Sequence, residues 1–343
     1  MSQTFRLFFL VLYFSFFYSF AQTNYVFEID SLLKVKEPRM FNGVVLITKN
    51  GKPQYSRAYG FKKINNPAPL QQNDQFEIMS NTKQVTAVLI LKEAEKGKID
   101  LQSAIRRYLP TLTQTWADSV TVHQLLNHTH GITDIEKPLS FKPGSEFKYG
   151  NLSNILLGKI LENVTGQPYR QLADHLFHQL GMKDTFCYSK ENQGKLVSGH
   201  LTNGHIFTTV EESFINDENL PADGVISTAK DLSLWNDQLH KGKILGAQMY
   251  NLMTAPSAMS QHDVFGKDKN GYGYNIRIVN DQDTKYFGHT GLGDGFASLN
   301  IYIPESDVSI IVLENQMNDD SNLYYYFEKE IKDIILRSNL LKK

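Results

Sequence analysis

Phe76-Glu77-Ile78-Met79-Ser80-Asn81-Thr82-Lys83 runs directly into Gln84-Val85-Thr86-Ala87-Val88-Leu89-Ile90-Leu91-Lys92-Glu93-Ala94. From Val85 onward apolar side chains fill most positions rather than a single stripe, and a helix that is apolar all round is a buried one. Its N-terminal end then presents Ser80 with Lys83 three residues on, which makes the two side chains neighbours on one helical face. A helix buried on every side needs protein on every side, so the flanking sequence has to supply the layers.

Upstream, Phe27 to Val35 reads as a short helix stopped by Pro38. Gly43 to Thr48, the turn Asn50-Gly51 and the return Tyr55 to Phe61 form a strong hairpin signal. Downstream, Val122 to Leu126, Ile155 to Val164, Tyr169 to Leu180 and Leu232 to Leu239 carry helical spacing, and glycines such as Gly97, Gly166 and Gly181 close several helices. Strand signals return at Tyr272 to Val279, Lys285 to Thr290, Phe296 to Ile303 and Val308 to Glu314. A final helix is predicted from about Leu323 to Leu341, with Phe327, Ile331, Ile334 and Ile335 on its packing stripe. Strands at both ends with helices between predict an α/β chain of the α+β type. One antiparallel sheet is built from both chain ends and flanked by helices, with a helical lobe inserted.

Residues 1–21 read as a signal peptide. Arg6 precedes an apolar run from Leu7 to Phe20, and the small residues Ser19 and Ala21 stand before Gln22. The run falls short of the roughly 20 residues a bilayer-spanning helix needs. The expectation is therefore export to the periplasm or exterior, with residues 22–343 forming one catalytic domain of two lobes and no stable membrane span in the mature protein. Lys and Arg number 35 against 36 for Asp and Glu, a balance that offers no electrostatic footprint for nucleic acid. The single cysteine, Cys187, excludes an intramolecular disulfide framework, a thiolate zinc site and a paired-cysteine redox motif. His123, His128 and His130 cluster in sequence, but no His-Glu-x-x-His pattern or suitably spaced carboxylate accompanies them, so no metal and no cofactor is expected.

The chemistry then falls to serine. A serine hydroxyl becomes a nucleophile when a nearby base takes its proton, and a lysine serves when burial or a neighbouring cation favours its neutral amine. Helix N-terminal amides can stabilise the oxyanion that develops. A second Ser-x-x-Lys, Ser227 to Lys230, is explained without chemistry: Thr228 and Asp231 fit an N-terminal cap for the next helix.

Two further segments, Tyr149-Gly150-Asn151 and His289-Thr290-Gly291, follow Ser80-Asn81-Thr82-Lys83 in that order. With them the sequence resembles the penicillin-recognising serine hydrolases, the β-lactamase and DD-peptidase group, and especially its class C-like β-lactamase-related branch. Flanking stretches agree, among them Ala94 to Leu101, Gln124 to Thr129, Pro143-Gly144 and Gly288 to Phe296, and the resemblance covers about residues 28–335.

The resemblance implies a β-lactamase/transpeptidase-like fold and an acyl-enzyme mechanism. Ser80 is the implied nucleophile, Lys83 its proton acceptor or tuning cation, and Tyr149 the general base and proton shuttle. Asn151 is to orient Lys83 and hold the substrate amide, with His289, Thr290 and Gly291 lining the substrate. The implied oxyanion hole is the backbone amides of Ser80 and Leu292, the latter on an edge strand. The expected partner is a small-molecule or peptide substrate, a D-amino-acid peptide, peptidoglycan fragment or small ester. A β-lactamase or DD-carboxypeptidase proper and a non-catalytic penicillin-binding sensor are the alternatives, and the oligomeric state is left open. Three departures bear on substrate. His289 stands where true β-lactamases carry Lys, which implies a weaker carboxylate anchor because an unperturbed imidazole is mostly neutral at pH 7. Gly150 and His130 also replace the usual residues. The segments Thr133 to Lys142 and Thr202 to Ala222 are the expected covering loops.

Overall fold

Asn50 and Gly51 take φ of 54° and 70°, the backbone a two-residue hairpin turn requires and that Asn and Gly enter most easily. The computed structural model describes residues 25–64, 68–191, 194–266, 268–280 and 284–342, so the expected signal peptide lies outside the described residues. Helix α1 (Tyr25–Leu32) precedes the hairpin of β1 (Gly43–Lys49) and β2 (Lys52–Tyr59). Then come β3 (Phe76–Glu77), a 3-10 turn at Met79–Asn81, and α2 (Thr82–Glu95). The helical layer continues through α3 (Val122–Leu126), α4 (Leu152–Thr165) and α5 (Tyr169–Leu180). Short strands β4 (Phe186–Cys187), β5 (His200–Asn203) and β6 (Ile206–Thr209) lead to α6 (Leu220–Asp223) and β7 (Val225–Ser227). Helices α7 (Ala229–His240) and α8 (Ala247–Thr254) follow. The chain then returns as β8 (Ala258–Ser260), β9 (Asn270–Tyr272), β10 (Arg277–Asn280), β11 (Lys285–Gly293), β12 (Phe296–Ile303) and β13 (Val308–Glu314). It ends with β14 (Met317–Asn318) and α9 (Tyr326–Leu336).

The principal sheet has the order β2-β1-β13-β12-β11-β10-β9-β8. Its N-terminal hairpin docks on the last long strand, antiparallel, from Gly43 opposite Glu314 to Lys49 opposite Val308, as strands from both chain ends require. Alternation along these strands feeds two cores, because successive side chains point to opposite faces. Val44, Leu46, Ile311 and Leu313 face the helical layer. Val45, Ile47, Ile310 and Val312 face α1 and α9. Within the helical layer, α2 is buried continuously from Thr82 to Leu91 and packs against α4, α5, α6 and α8. Among the described residues no helix is long and apolar enough to cross a membrane.

Two predicted elements are broken by polar side chains. The strand expected over Tyr272 to Val279 splits into β9 and β10, since Asn275, at φ 53°, leaves the ladder and its Nδ2 donates to the Lys83 carbonyl at 3.0 Å. The final helix is shorter than its stripe: 3-10 turns capped by Asp320 and Ser338 take both ends, because short polar side chains compete for backbone amides. Helix α8 and the two three-stranded sheets, β14-β5-β6 and β3-β7-β4, have no counterpart in the sequence reading.

One buried ion pair joins the chain ends. Arg39 donates to both Glu314 carboxylate oxygens at 2.8 and 2.7 Å, and its Nη2 lies 3.8 Å from Glu328 on α9. Removing the cation leaves buried carboxyl groups without their counter-charge, which is the costly way to break such a pair. Arg39→Met should lower the unfolding free energy by about 3–5 kcal/mol, measured by urea denaturation.

Candidate active site

Ser80 lies in the 3-10 turn that feeds α2, one residue before the helix N-cap, Asn81. The residue before it, Met79, is fully buried with φ 49°. A non-glycine side chain in this region costs on the order of 1–3 kcal/mol, and such residues persist where the surroundings over-determine them. Here the surroundings are β11: a Cβ on Gly291 would stand 2.2 Å from the Ile78 carbonyl and 2.9 Å from the Met79 Cβ. Only a glycine lets the strand approach the serine turn this closely.

Lys83 is fully buried beneath Ser80. Its Nζ donates to Ser80 Oγ at 2.7 Å, Asn151 Oδ1 at 2.9 Å and the Ala222 carbonyl at 3.0 Å. Burial pushes the ammonium down from its ordinary value, and the Asp223 carboxylate, 3.3 Å away, opposes that shift. Asn151 thus orients the lysine, while its own Nδ2 donates to Asp223 Oδ2. The Tyr149 ring lies 5.2 Å from Lys83 Nζ and 4.7 Å from the His128 ring. Its hydroxyl makes no hydrogen bond of regular geometry, although Ser80 is close enough to counter part of its shift. Burial, assisted by Asp223, raises the Tyr149 phenol well above its ordinary range, so it is neutral at pH 7.

Strand β11 carries His289, Thr290, Gly291 and Leu292 along the same cleft. It is an interior strand rather than the edge strand expected. The pairing with β10, however, runs only from Lys285 to Gly288, so His289 to Gly293 are not paired with β10, and it is in this stretch, at Gly291, that β11 meets the serine turn. Leu292, whose amide is the one expected in the oxyanion hole, lies one residue beyond this contact. His289 is fully committed: Nε2 meets Tyr272 Oη at 3.2 Å and Nδ1 the Thr290 carbonyl at 2.6 Å. Burial and then the Arg277 charge hold this imidazole well below its ordinary value, leaving it uncharged. Thr290 Oγ1 contacts His262 Nε2 at 3.0 Å.

Three groups escaped the sequence reading. Asp223, at the end of a four-residue helix, accepts from Ser80 Oγ at 2.9 Å; no periodicity or motif marks it. Arg277 is buried beside Tyr149, its guanidinium 5.8 Å from that ring and 5.4 Å from Tyr272. Its Nη1 donates to Ser260 at 2.9 Å and its Nε has no partner, and among the described residues no carboxylate lies within ion-pair distance of it. Glu77, three residues before Ser80, is buried near Asp294. Burial, then the Asp294 charge, pushes its carboxyl up to about 8.

The remaining candidates resolve into structure. His123 Nδ1 contacts Tyr274 Oη, His128 Nδ1 contacts Ser153 Oγ, and His130 Nδ1 accepts from the Ile132 amide. The His128 and His130 rings lie 6.3 Å apart, but among the described residues no three side chains of metal-ligating type gather, and burial lowers His130 to about 4, so it serves as a neutral turn acceptor. In the second Ser-x-x-Lys, Thr228 caps α7 by accepting from the Asp231 amide, Ser227 is buried against Thr185, and Lys230 is exposed.

An antiparallel sheet closed by both chain ends, with a helical layer that carries a serine turn against its central strand, is the β-lactamase/transpeptidase-like architecture. The sequence pattern described as Beta-lactamase matches residues 34–330, and the chain belongs to that family. Protein flp of Staphylococcus aureus (strain MW2) is 26% identical over 318 residues, an alignment covering 84% of this chain and 62% of that protein. The chain therefore spans less than two thirds of the length of such curated relatives. The octameric penicillin-binding protein homologue from Pyrococcus abyssi superposes with a TM-score of 0.76 at 24% identity, covering 93% of this chain and 77% of that one. The D-amino acid amidase from Ochrobactrum anthropi SV3 gives a TM-score of 0.78 at 20% identity, covering 91% and 99%.

Glu77 makes the site's pH dependence measurable. Its folded value lies above the ordinary 4.5, so its contribution to stability is complete below about pH 4.5 and is lost as the pH climbs to about 8. Urea unfolding across that interval should show wild-type stability falling relative to Glu77→Gln, at up to about 1.4 kcal/mol per pH unit.

Proposed function

We propose that the protein is an exported serine hydrolase that forms an acyl-enzyme on Ser80 and cleaves an amide or ester bond in a D-amino-acid peptide, peptidoglycan fragment or small ester. The observation that carries this reading is the 2.7 Å contact between Ser80 Oγ and a fully buried Lys83 Nζ, in a turn packed against Gly291 of β11. A surface serine capping its own helix has no use for a buried cation. In the reaction Ser80 Oγ attacks the acyl carbon, the oxyanion forms toward the Ser80 and Leu292 amides, and water then releases the acyl group. Export rests on the sequence pattern of residues 1–21.

Arg277 bears on the substrate. With His289 neutral, the positive charge that a Lys in the third motif would provide is supplied instead by the Arg277 guanidinium, 5.8 Å from the Tyr149 ring. A buried cation without an anion is costly, and a carboxylate on the substrate removes that cost. The reading therefore favours an acyl compound bearing a carboxylate, as a peptide with a free C-terminus does.

Labelling with a serine-reactive fluorophosphonate tests the first claim: wild type should label and Ser80→Ala should not, and equal labelling of the two sinks the hydrolase reading. For the second, p-nitrophenyl esters, D-amino-acid amides, muropeptides and nitrocefin should be compared in wild type and Arg277→Gln. KM for carboxylate-bearing substrates should rise by roughly tenfold to a hundredfold, the loss of one charged hydrogen bond, and by more than for neutral esters. A uniform change across the panel would remove Arg277 from substrate binding.

A further inference from the structure

Where the far end of β11 meets the segment 196–213, the fold leaves a cavity of about 230 Å³. Glu77, Ser198, Thr209, Glu211, Ser213 and Asp294 line it, and among the described residues of its wall there is no Lys, Arg or His. The wall is held in place around Asp294, whose Oδ2 accepts from Ser213 Oγ at 2.6 Å and from the Phe214 amide at 2.9 Å. A Cβ on Gly199 would stand 2.0 Å from the Asp294 carbonyl, so two backbones meet here with no side chain between them.

This wall is short of donors and of positive charge. Glu77 is 2% exposed, its Oε2 has no hydrogen-bond partner, and Thr209 Oγ1 is buried in the same wall without one. Buried polar atoms are normally paired. Glu211 is exposed and has Lys63 3.7 Å away, but among the described residues no cation lies within ion-pair distance of Glu77 or Asp294. A metal ion does not suit the wall, since among the described residues no three side chains of metal-ligating type gather. A primary ammonium does: it brings one positive charge and three N–H donors at the end of a carbon chain that can reach in from the cleft.

Strand β11 sets the distances. Gly288 pairs with Arg277 of β10. Three residues on, Gly291 meets the serine turn, and three further again Asp294 is the first residue beyond the strand. At a strand's rise of about 3.3 Å per residue, the serine turn stands about 10 Å along β11 from each of these two positions. A buried cation without an anion and a buried carboxyl pair without a cation thus lie to opposite sides of Ser80. The surface of the second interval is apolar: a Cβ on Gly293 would stand 2.6 Å from Met79 Cε and 3.1 Å from Phe214 Cε1, and the Phe214 ring is 46% exposed. Such a surface suits methylene groups.

We propose that this cavity is a subsite for a primary ammonium group on the acyl part of the substrate, so that the molecule opened at Ser80 carries a carboxylate toward Arg277 and an ammonium toward Glu77 and Asp294. The inference rests on the acyl-serine reading above and narrows its substrate to one with opposite charges on the two sides of the scissile bond.

The test uses p-nitrophenyl esters of 6-aminohexanoic and 8-aminooctanoic acids, each beside its N-acetyl derivative, with the full chain as wild type, Glu77→Gln, Asp294→Asn and Ser213→Lys. The p-nitrophenol leaving group carries no carboxylate, so Arg277 does not enter the comparison. In wild type kcat/KM for the amino ester should exceed that for its acetamido partner by roughly tenfold to a hundredfold at one chain length or both, the effect of one charged hydrogen bond. The ratio should fall toward one in Glu77→Gln and Asp294→Asn, and also in Ser213→Lys, which brings an ammonium of the chain's own to the wall and keeps the test open where a buried variant fails to fold. Because the ratio is taken within each protein, a change in overall activity cancels. A wild-type ratio near one at both lengths would overturn the proposal, leaving a cavity that holds water and a carboxyl pair that only ties down the segment at Ser213. So would a wild-type preference that survives the substitutions, since it would belong to another carboxylate such as Asp223. If wild type does not label on Ser80 with the fluorophosphonate, the acyl-serine reading fails and takes this inference with it; if it labels and the ratio is one, this inference alone fails.

Discussion

A primary amine buried with no solvent contact has to be met by acceptors on every N–H, and the Lys83 ammonium is the point around which this molecule is arranged. Isolated burial of such a charge costs several kcal/mol. The acceptors come from places far apart in sequence: Ser80 one turn back, Asn151 at the start of α4, Ala222 and Asp223 from α6. The continuous apolar surface of α2 exists to be covered by the same helices. Packing and electrostatics thus have one solution, in which closing α4 and α6 over α2 both fills the core and neutralises the lysine.

The second constraint is approach. The serine turn and β11 touch, yet side chains on a strand stand roughly perpendicular to the sheet and would hold the two apart. Gly291 removes that spacer, and Met79 accepts a left-handed backbone to turn Ser80 toward the gap. Ser298, on the neighbouring strand, ties the contact by donating to the Ile78 carbonyl at 2.8 Å and accepting from Asn81 Nδ2 at 2.9 Å. The strain at Met79 is held by these bonds and by β11 itself, whose ladder with β12 runs from Phe287 to Gly293.

Much of the fold was legible because its signals are periodic. The β12 and β13 ranges and the α5 range are those the alternation and helical spacing predict, and the Asn50-Gly51 turn named its hairpin. Ser80 and Lys83 were legible for the same reason, being three apart at the head of an apolar helix. Tyr149, Asn151 and His289 needed the resemblance, since none of them carries a local signal. Asp223 and Arg277 were not legible at all. The first ends a four-residue helix, one residue past the stretch Thr202 to Ala222 that reads as a covering loop. The second sits between apolar strand residues, and its isolation emerges only in the folded chain, where among the described residues no carboxylate lies within ion-pair distance of it. Long-range polar contacts between aperiodic segments leave no trace in spacing.

The exchange of a third-motif lysine for His289 looked, from sequence, like a loss of positive charge. Burial makes the loss complete: Tyr272 and the Thr290 carbonyl take both ring nitrogens, and His128 and His262 are pushed down with it. All three imidazoles are therefore neutral at pH 7, and what they surround is a guanidinium. Aromatic faces at 5.4 to 5.8 Å from Arg277, those of Tyr272, Phe265 and Tyr149, stabilise a cation modestly, by about 0.5–2 kcal/mol each. That falls short of an ion pair in a site shielded from water. The charge has moved from the tip of a flexible lysine to a planar, permanently ionised fork whose geometry matches a carboxylate. The two buried cations therefore differ in what they lack: Lys83 has the Asp223 carboxylate 3.3 Å away, whereas among the described residues no carboxylate lies within ion-pair distance of Arg277, which leaves its guanidinium as the group of this region that an added anion would stabilise.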